Sequence, residues 1–504
     1  MCRNRIKFYL YDNNIMVVIL LPNQLFEDNK ILEGEKEVYI IEHPVYFSLY
    51  EYHKMKLVLH RASMKKYVDY VKKEYKINMH YIEYNDNYEK IFKNNSKESI
   101  KIYDPVDHGV LKEFKQLANK HKNNLEIIDN PSFLCNDTII GEYMKEKGSY
   151  FHHVFYTWCR KKFDILMNGD KPIGGRWSYD DENRLPFPKG GIKDQEFKEN
   201  KEKYVEEAKR YVERHFNKNV GETELYLPID SEGAKKQYKK FIKSKLKCFG
   251  PYEDAVSDKI MYGCHSVLSP LINIGLITAE ELIRGAEKHR KTAPIQSIEA
   301  YIRQIFWREY CMFVYKTKHK ELVEANHFGH KRKLGEDWYT GETAFNLIND
   351  LIKKALKLGY CHHIERLMYL GNMLLISEIN PKDVYEWYMI MFIDAYNWVM
   401  EPNVYGMSQH SAGPIMMKRP YFSSSNYIDK MSNYKRGGEK IKIGKEEYEW
   451  NEIWDALYYN FINNNLKEFS KNYSTATMTL AWKRKKEGEK KEIIKKAEEY
   501  LRRY

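Results

Sequence analysis

The sequence predicts an N-terminal α/β domain, a Rossmann-like parallel sheet, joined to a large all-α C-terminal domain. Three features of the 504 residues carry that prediction. Over the first 130 or so positions, short apolar runs of strand length alternate with amphipathic helical stretches, the pattern of a parallel sheet covered by helices. A segment dense in Gly, Pro, Asn and Asp then breaks the periodicity. From about Gln195 onward, apolar residues recur at spacings of three and four, with no strand run in evidence.

Taken in order, strands are expected at 15–21, 37–41, 78–83, 99–103 and 125–129, with helices at 54–74 and 109–121 among them. Ligands of such sheets sit at the carboxyl ends of the strands. Neither a G-x-G-x-x-G nor a Walker loop is present, so the usual nucleotide sites are unsupported. The domains are drawn at 1–132 (α/β), 133–195 (linker) and 196–504 (all-α). The linker contains GDKPIGGRWSYDDENRLPFPKGG, at 169–191, long enough to be a plain connection or a functional one. Helical patterns follow at 298–314, 344–358, 364–375 and 384–399. The Lys/Glu-laced end, 482–504, reads as a solvated helix or a fraying tail.

Composition narrows the class. With 43% hydrophobic residues the chain can bury real cores, which excludes disorder and small disulfide scaffolds. A net charge of +12 favours an anionic partner, weakly unless the charge gathers on one face. No run approaches the roughly 18 apolar residues of a membrane helix, and no secretory signal is evident, so a cytoplasmic protein with no membrane partner is expected. The seven cysteines, Cys2, Cys135, Cys159, Cys248, Cys264, Cys311 and Cys361, include no C-x-x-C pair. That excludes a zinc ribbon and a redox dithiol, and reads as free thiols in a reducing compartment.

Four stretches of the helical half concentrate polar and aromatic chemistry. In CHSVLSPLINIGL, Ser266 and Ser269 flank a helix start where hydroxyls and free N–H groups hold phosphate, or simply cap the helix. In SIEAYIRQIFWREY, Glu299 and Arg303 stand four apart, which alone is no more than a surface ion pair. In YCHHIERLMYLGNMLL, His362 and His363 diverge by about 100° if helical, so both cannot enter one small site. The spacing is not H-E-x-x-H, which excludes a zinc protease. In VYEWYMIMFIDAYNWVMEPNVYGMSQHSAG, Asp394 sits among apolar neighbours and needs a partner if buried. Arg366 is the candidate. Trp387, Tyr388, Tyr396 and Trp398 form an array that suits a large planar cofactor or a plain core.

HHIERLM, WYMIMFIDAYNWV, PNVYGMS, KRPY and NYIDKMSNY, with the linker run FYTWCRKKFDILMNGDKPIGGRWSYDDENR and the N-terminal NQLF and HKMKLVLHRASM, resemble the photolyase and cryptochrome superfamily. More narrowly they resemble its prokaryotic (6-4) photolyase-like branch, the iron–sulfur bacterial cryptochromes and photolyase-related proteins. The resemblance covers nearly the whole chain. It implies an α/β antenna domain and an all-α domain holding FAD, and light-driven repair of UV-damaged DNA, most of all of (6-4) photoproducts. The alternatives are cyclobutane dimer repair and a photoreceptor without repair. A monomer is expected.

Carried over residue by residue, the resemblance implies FAD contacts at His265, Ser266, Leu268, Ser269, Glu299, Arg303, Gln304, Arg366, Asp394 and Asn403. It implies lesion chemistry at His362, His363, Tyr421 and Tyr427, with His363 matching the family's essential histidine, and a DNA contact at Arg184. Flavin photoreduction is implied along Trp387 and Tyr388, with Trp338 or Tyr339 next. A ribityl-lumazine antenna is implied near Gln24, Leu25, Glu42 and Leu57, and a Mg²⁺ link at Asp180.

The sequence departs from the branch in two places. Its four-cysteine [4Fe–4S] cluster has no ligands here: Asn346 or Leu347, Lys435, Gly438, and Asn451 or Glu452 stand at those positions, and no cysteine follows Cys361. Such clusters are held mainly by thiolates, so no [4Fe–4S] cluster is expected, and Trp450 and Trp454 are candidates to fill its space. In VMEP, the acidic residue stands one place later than the family's, which leaves the residue facing the flavin N5 open.

Overall fold

The computed structural model describes residues 16–471 and 473–503. Ile15, Cys2 and Tyr504 lie outside them. β1 (Val17–Leu20), β2 (Glu37–Ile41), β3 (Asn78–Ile82), β4 (Ser99–Tyr103) and β5 (Asn124–Ile128) form one sheet in the order β3-β2-β1-β4-β5. Every pairing is parallel, with Val17 opposite Glu37 and Ile100. The central strand is the VVIL run, buried at all four positions, as a strand covered on both faces must be. Helix Lys54–Tyr75 covers one part of the sheet; its Leu57, Val58 and Leu59 are fully buried. Helix Lys203–His215, which the sequence assigns to the helical half, packs along it.

The remainder is helical, built around the 29-residue helix Ile295–Val323. Four local differences from the expected pattern matter. First, the half is not wholly α: Lys440–Ile443 and Glu446–Glu449 form an antiparallel hairpin across Gly444. Its KIKI alternation is short and heavily charged, so it reads as a solvated run. Second, the pattern at 384–399 is two helices, Pro381–Met391 and Asn397–Glu401, not one. Phe392 turns extended, and the Ile393 N–H leaves the helix to donate to the Gly359 carbonyl. Third, Glu365–Gly371 and Pro402–Ser408 are π-helical, a widened form found mostly at functional sites. Fourth, the charged end forms helices Ala476–Lys483 and Glu487–Leu501, and the latter buries Ala497, Tyr500 and Leu501 against Trp450–Asn464.

The expectation of free thiols fails at one pair. Cys248 and Cys264, 16 residues apart, form a disulfide, a spacing that no motif flags. Cys135, Cys159, Cys311 and Cys361 are free and buried. The cysteines therefore give no argument for a reducing compartment. Among the described residues, no helix is long and apolar enough to cross a membrane.

Of the positions matching the branch's cluster ligands, Lys435, Gly438 and Asn451 or Glu452 flank the hairpin, and Asn346 or Leu347 opens helix Asn346–Leu358. The Asn451 amide oxygen accepts from the Gly437 N–H at 2.9 Å, and Trp450 Nε1 donates to the Lys435 carbonyl at 2.9 Å. Trp450 and Trp454 are buried here, the latter edge-on to Phe345 beside Asn346. None of the matched positions carries a thiolate, so the side chains present do not fit an iron–sulfur group.

Candidate functional site

A cavity of about 790 Å³ opens in the helical half, within the size range of ligand sites. The loop before Ser269, the long helix Ile295–Val323, the two π-helical turns and the linker all contribute to its wall. The two π-turns approach closely at Gly371. A Cβ there would fall 2.3 Å from Ser408 Oγ and 2.8 Å from the Arg366 carbonyl, so the contact requires glycine.

At one end lies a buried ion pair. Arg366 reaches Asp394 through both Nη atoms, at 2.8 and 3.1 Å, while its Nε donates to the Cys361 carbonyl at 2.7 Å. The helix break at Phe392 releases Asp394 to make this contact, and the Phe392 ring lies 4.0 Å from the guanidinium. The seat has a strut from the other domain: Lys56 Nζ, 1% exposed, donates to the Ala395 carbonyl at 2.6 Å. Burial lowers the Lys56 ammonium to about 7 against the pull of Asp394.

Tyr388 lines the cavity and donates to the Arg366 carbonyl. Trp387 stands 5.3 Å behind it, and Trp338 5.6 Å beyond that, centroid to centroid. Of the two candidates for the third ring, Trp338 makes this contact. Asn403 lines the wall and donates to the Val399 carbonyl at 2.7 Å. In VMEP, Met400 lines the cavity, whereas Glu401 turns away to His319 Nδ1 at 2.7 Å.

The opposite part of the cavity holds three imidazoles. His265, His362 and His363 place ring nitrogens within 4.8 Å of one another, and His265 stacks on His362 at 4.2 Å. Both adjacent histidines therefore reach one site, contrary to the helical expectation. His362 precedes the helix, so the 100° rule does not apply to it. His265 Nε2 and His362 Nδ1 are buried without a hydrogen-bond partner, as atoms awaiting a polar ligand are. Burial holds both rings neutral, with pKa values well below the usual histidine range. His362 is backed by Glu365, which accepts its N–H at 2.9 Å and pairs with Lys354 Nζ at 2.7 Å.

Beside His363 is a carboxylate that no motif announces. Glu253, 2% exposed, lies 3.4 Å from His363 Nε2 and 3.5 Å from Arg303 Nη2. It accepts from Asn183 at 2.6 Å and from Gln304 at 2.5 Å. Burial, opposed by Arg303 and Asn183, pushes it up to about 7; burial and Asp180 push the neighbouring Asp254 up to about 6. His363 is drawn the other way, to about 3, by desolvation and by Arg303 and Arg366.

The serine stretch forms part of the wall through Ser266, Leu268 and Ser269. Val267 carries φ +55°, a strained backbone for a β-branched residue, within the turn that presents them. Gln237 holds this turn by donating to the Ser266 and Val267 carbonyls, and the disulfide fixes its start. Tyr421, Tyr427 and Arg184 line the cavity too. Asp180 is held by Arg184 and by Arg303. A magnesium ion there would compete with two guanidinium groups, so the donors present do not favour one. Glu299 is not on the cavity wall. It is buried behind Arg303 at 3.3 Å and accepts from Tyr156 and the Tyr179 N–H, so the pair is internal rather than a surface bridge.

The implied antenna positions lie elsewhere and are filled. Gln24, Leu25, Glu42 and Leu57 each have no exposed surface. Glu42 receives Arg61 at 2.8 Å, Tyr81 at 2.5 Å, Tyr211 at 3.0 Å and the Tyr84 N–H at 3.1 Å. Arg61 also meets Glu83 and Glu207, and stacks 3.4 Å over Tyr211. Helix Lys203–His215 brings Glu207 and Tyr211, so protein fills the space beside Glu42. These residues do not fit an antenna. Sequence reasoning also passed over Trp307 and Arg308, both on the cavity wall. Trp307 stands inside SIEAYIRQIFWREY, is partly buried and stacks on His152 at 3.6 Å; an aromatic next to Arg308 within that motif was the available signal.

Comparison with known proteins matches this architecture to a described group. Residues 18–226 match the family model of deoxyribodipyrimidine photo-lyase-related proteins. Over 408 residues the chain is 33% identical to a (6-4) photolyase of Agrobacterium fabrum, covering 80% of each protein. A bacterial class III photolyase from Agrobacterium tumefaciens superposes with a TM-score of 0.57 at 16% identity, over 82% of this chain and 86% of that one. An archaeal photolyase from Sulfolobus tokodaii, solved with two FAD molecules, gives 0.54 at 11% identity, over 82% and 87%.

Proposed function

The chain belongs to the photolyase and cryptochrome superfamily, in its photolyase-related branch, and from that premise we propose that it is a light-driven DNA photolyase that binds FAD and repairs (6-4) photoproducts. The reading rests on one observation above the rest: the Arg366–Asp394 pair, the serine turn and the paired histidines all border a single cavity. Bound there, FAD in its reduced form supplies the photoexcited electron. Ser266 and Ser269 suit the pyrophosphate, and Arg366, Asp394 and Asn403 suit the ring system. Tyr388, Trp387 and Trp338 are spaced to pass charge towards the ring. His362, His363, Tyr421 and Tyr427 border the room for a base turned out of the duplex, at the unstacking cost such enzymes bear. A (6-4) lesion also needs a proton moved, the work of a positioned histidine. The donor set described above gives an antenna, a magnesium ion and an iron–sulfur cluster no step, and elemental analysis for iron checks the last.

The deciding experiment illuminates purified protein with defined (6-4) and cyclobutane oligonucleotides and separates the products. Restoration of the (6-4) bases is expected. The His363→Ala variant should keep FAD and lose repair. Normal (6-4) repair by that variant overturns the histidine assignment; a protein that takes up no FAD overturns the whole reading. Cyclobutane repair alone moves the substrate, and no repair with FAD bound leaves a photoreceptor.

A further inference from the structure

We propose that Glu253 is a positioning residue that stores the proton His363 delivers, so that the imidazole acts as a relay and not as the reservoir. This rests on the photolyase reading of the cavity. The geometry is a line of three stations. Glu253 Oε1 faces His363 Nε2 at 3.4 Å. The His363 side chain is 39% exposed and lines the cavity, and Nδ1 is the ring nitrogen not engaged with Glu253. Glu253 itself is closed off behind it at 2% exposure, with its oxygens held by Asn183 and Gln304. A buried carboxyl against a neutral imidazole shares one proton, and the environment decides which partner keeps it.

The charged neighbours pull both ways, and burial of both groups, the largest cause at each, tips the proton towards the carboxyl. Arg303 and Arg366 act on His363 and disfavour an imidazolium, while Asp180 opposes them. Around Glu253, Asp254 and Asp180 add negative charge and Arg303 subtracts it. His265 and His362, the other titratable groups of the cluster, are held neutral. The carboxyl lies near 7 and the imidazole well below it, so the proton of the pair resides on Glu253 below about pH 7 and is lost from it as the pH rises through that value.

The step balances as a proton relay. The Glu253 O–H bond breaks as an N–H bond forms at His363 Nε2. The His363 Nδ1–H bond breaks, and its proton goes to the oxygen or nitrogen of the lesion that becomes basic on taking up an electron. Each electron pair stays with the atom that loses the proton. His363 ends neutral as the other tautomer, and Glu253 ends as the carboxylate beside Arg303. When the repaired bases release their proton, the path runs backwards. The relay itself moves no electron; the one that makes the lesion basic is supplied and recovered by the proposed light-driven reaction on which this inference rests.

The test compares wild type with Glu253→Gln, which keeps the shape and cannot supply the proton. Repair yield of a (6-4) oligonucleotide is measured from pH 6 to 8.5, with FAD content and lesion affinity alongside. Wild-type yield should fall as pH rises through about 7, because Glu253 loses its proton there. Glu253→Gln should lose on the order of 10²-fold at pH 6.5, become insensitive to pH, and keep FAD and affinity. A variant with wild-type yield and profile overturns the proposal. Infrared difference spectroscopy of the protein without DNA supplies an independent reading. A protonated carboxyl C=O band that titrates near 7 and vanishes in Glu253→Gln is expected; its absence from wild type at pH 6 overturns the proposal. That second arm separates the two ideas, since it decides where the proton sits even if wild type leaves (6-4) DNA unchanged.

Discussion

Glu42 and Glu253 are buried carboxylates in the two halves of the molecule, and their surroundings are opposite. In the α/β half, Glu42 receives a guanidinium, two phenols and a backbone N–H, and no space remains around it. In the helical half, Glu253 has two amide donors, an arginine at 3.5 Å, an imidazole at 3.4 Å and a cavity in front. The first group spends its interactions on holding helices together. The second keeps interactions in reserve for something that arrives. A filled polar network stabilises; a partly filled one beside a void is the mark of a site.

Mutations can break or sharpen that contrast. The largest effect is expected from Arg366→Ala, which strands Asp394 inside the helical half. Removing one partner of a buried pair costs about 3–5 kcal/mol, and flavin uptake should fall with it; a thermal melt and the absorbance of the purified variant check both. Arg61→Ala is the matching cut in the α/β half. It leaves Glu42 buried without its counter-charge, though still accepting from two phenols and a backbone N–H, at a cost of about 3 kcal/mol, yet flavin stoichiometry should not change. If this variant instead gained an antenna chromophore, the filled side would prove to be a ligand site in disguise.

Lys56 gives a pH-dependent form of the same comparison. A lysine in the unfolded chain titrates near 10.4, and Lys56 in the fold near 7. Between those values the unfolded chain binds more protons, so stability should rise with pH from 7 to 10. Lys56→Met should remove that rise, worth at most about 4 kcal/mol, as urea midpoints at pH 7, 8.5 and 10 would reveal. The smallest effect belongs to Arg184→Ala at the cavity mouth, where the pair with Asp180 is more than half exposed. Stability should move by less than about 1 kcal/mol. DNA affinity should weaken evenly across sequences, with a salt slope reduced by about one.

Much of this was legible in the chain. The five strands could be read because β-branched runs are bounded by turns, and Asp394 declared its need for a partner by its apolar neighbours. The rest was hidden for physical reasons. A π-turn has nearly the same apolar spacing as an α-helix, so Glu365–Gly371 and Pro402–Ser408 looked ordinary. The break that frees Asp394 depends on a hydrogen bond to Gly359, more than 30 residues upstream. The Cys248–Cys264 bond closes a short loop whose spacing matches no motif, and the role of Glu253 depends on Asn183 in the linker and His363 far along the chain, which no local window contains. Filling of the antenna positions depends on helix Lys203–His215 packing backwards on to the first domain.

Lys56 carries a consequence for how the molecule can be divided. Its ammonium is rooted in the sheet domain and ends on the carbonyl beside Asp394. The helical half excised on its own would therefore lose a prop under its most sensitive carboxylate. The α/β half, whose Glu42 is already fully partnered, serves through Lys56 as a foundation for the other half's chemistry.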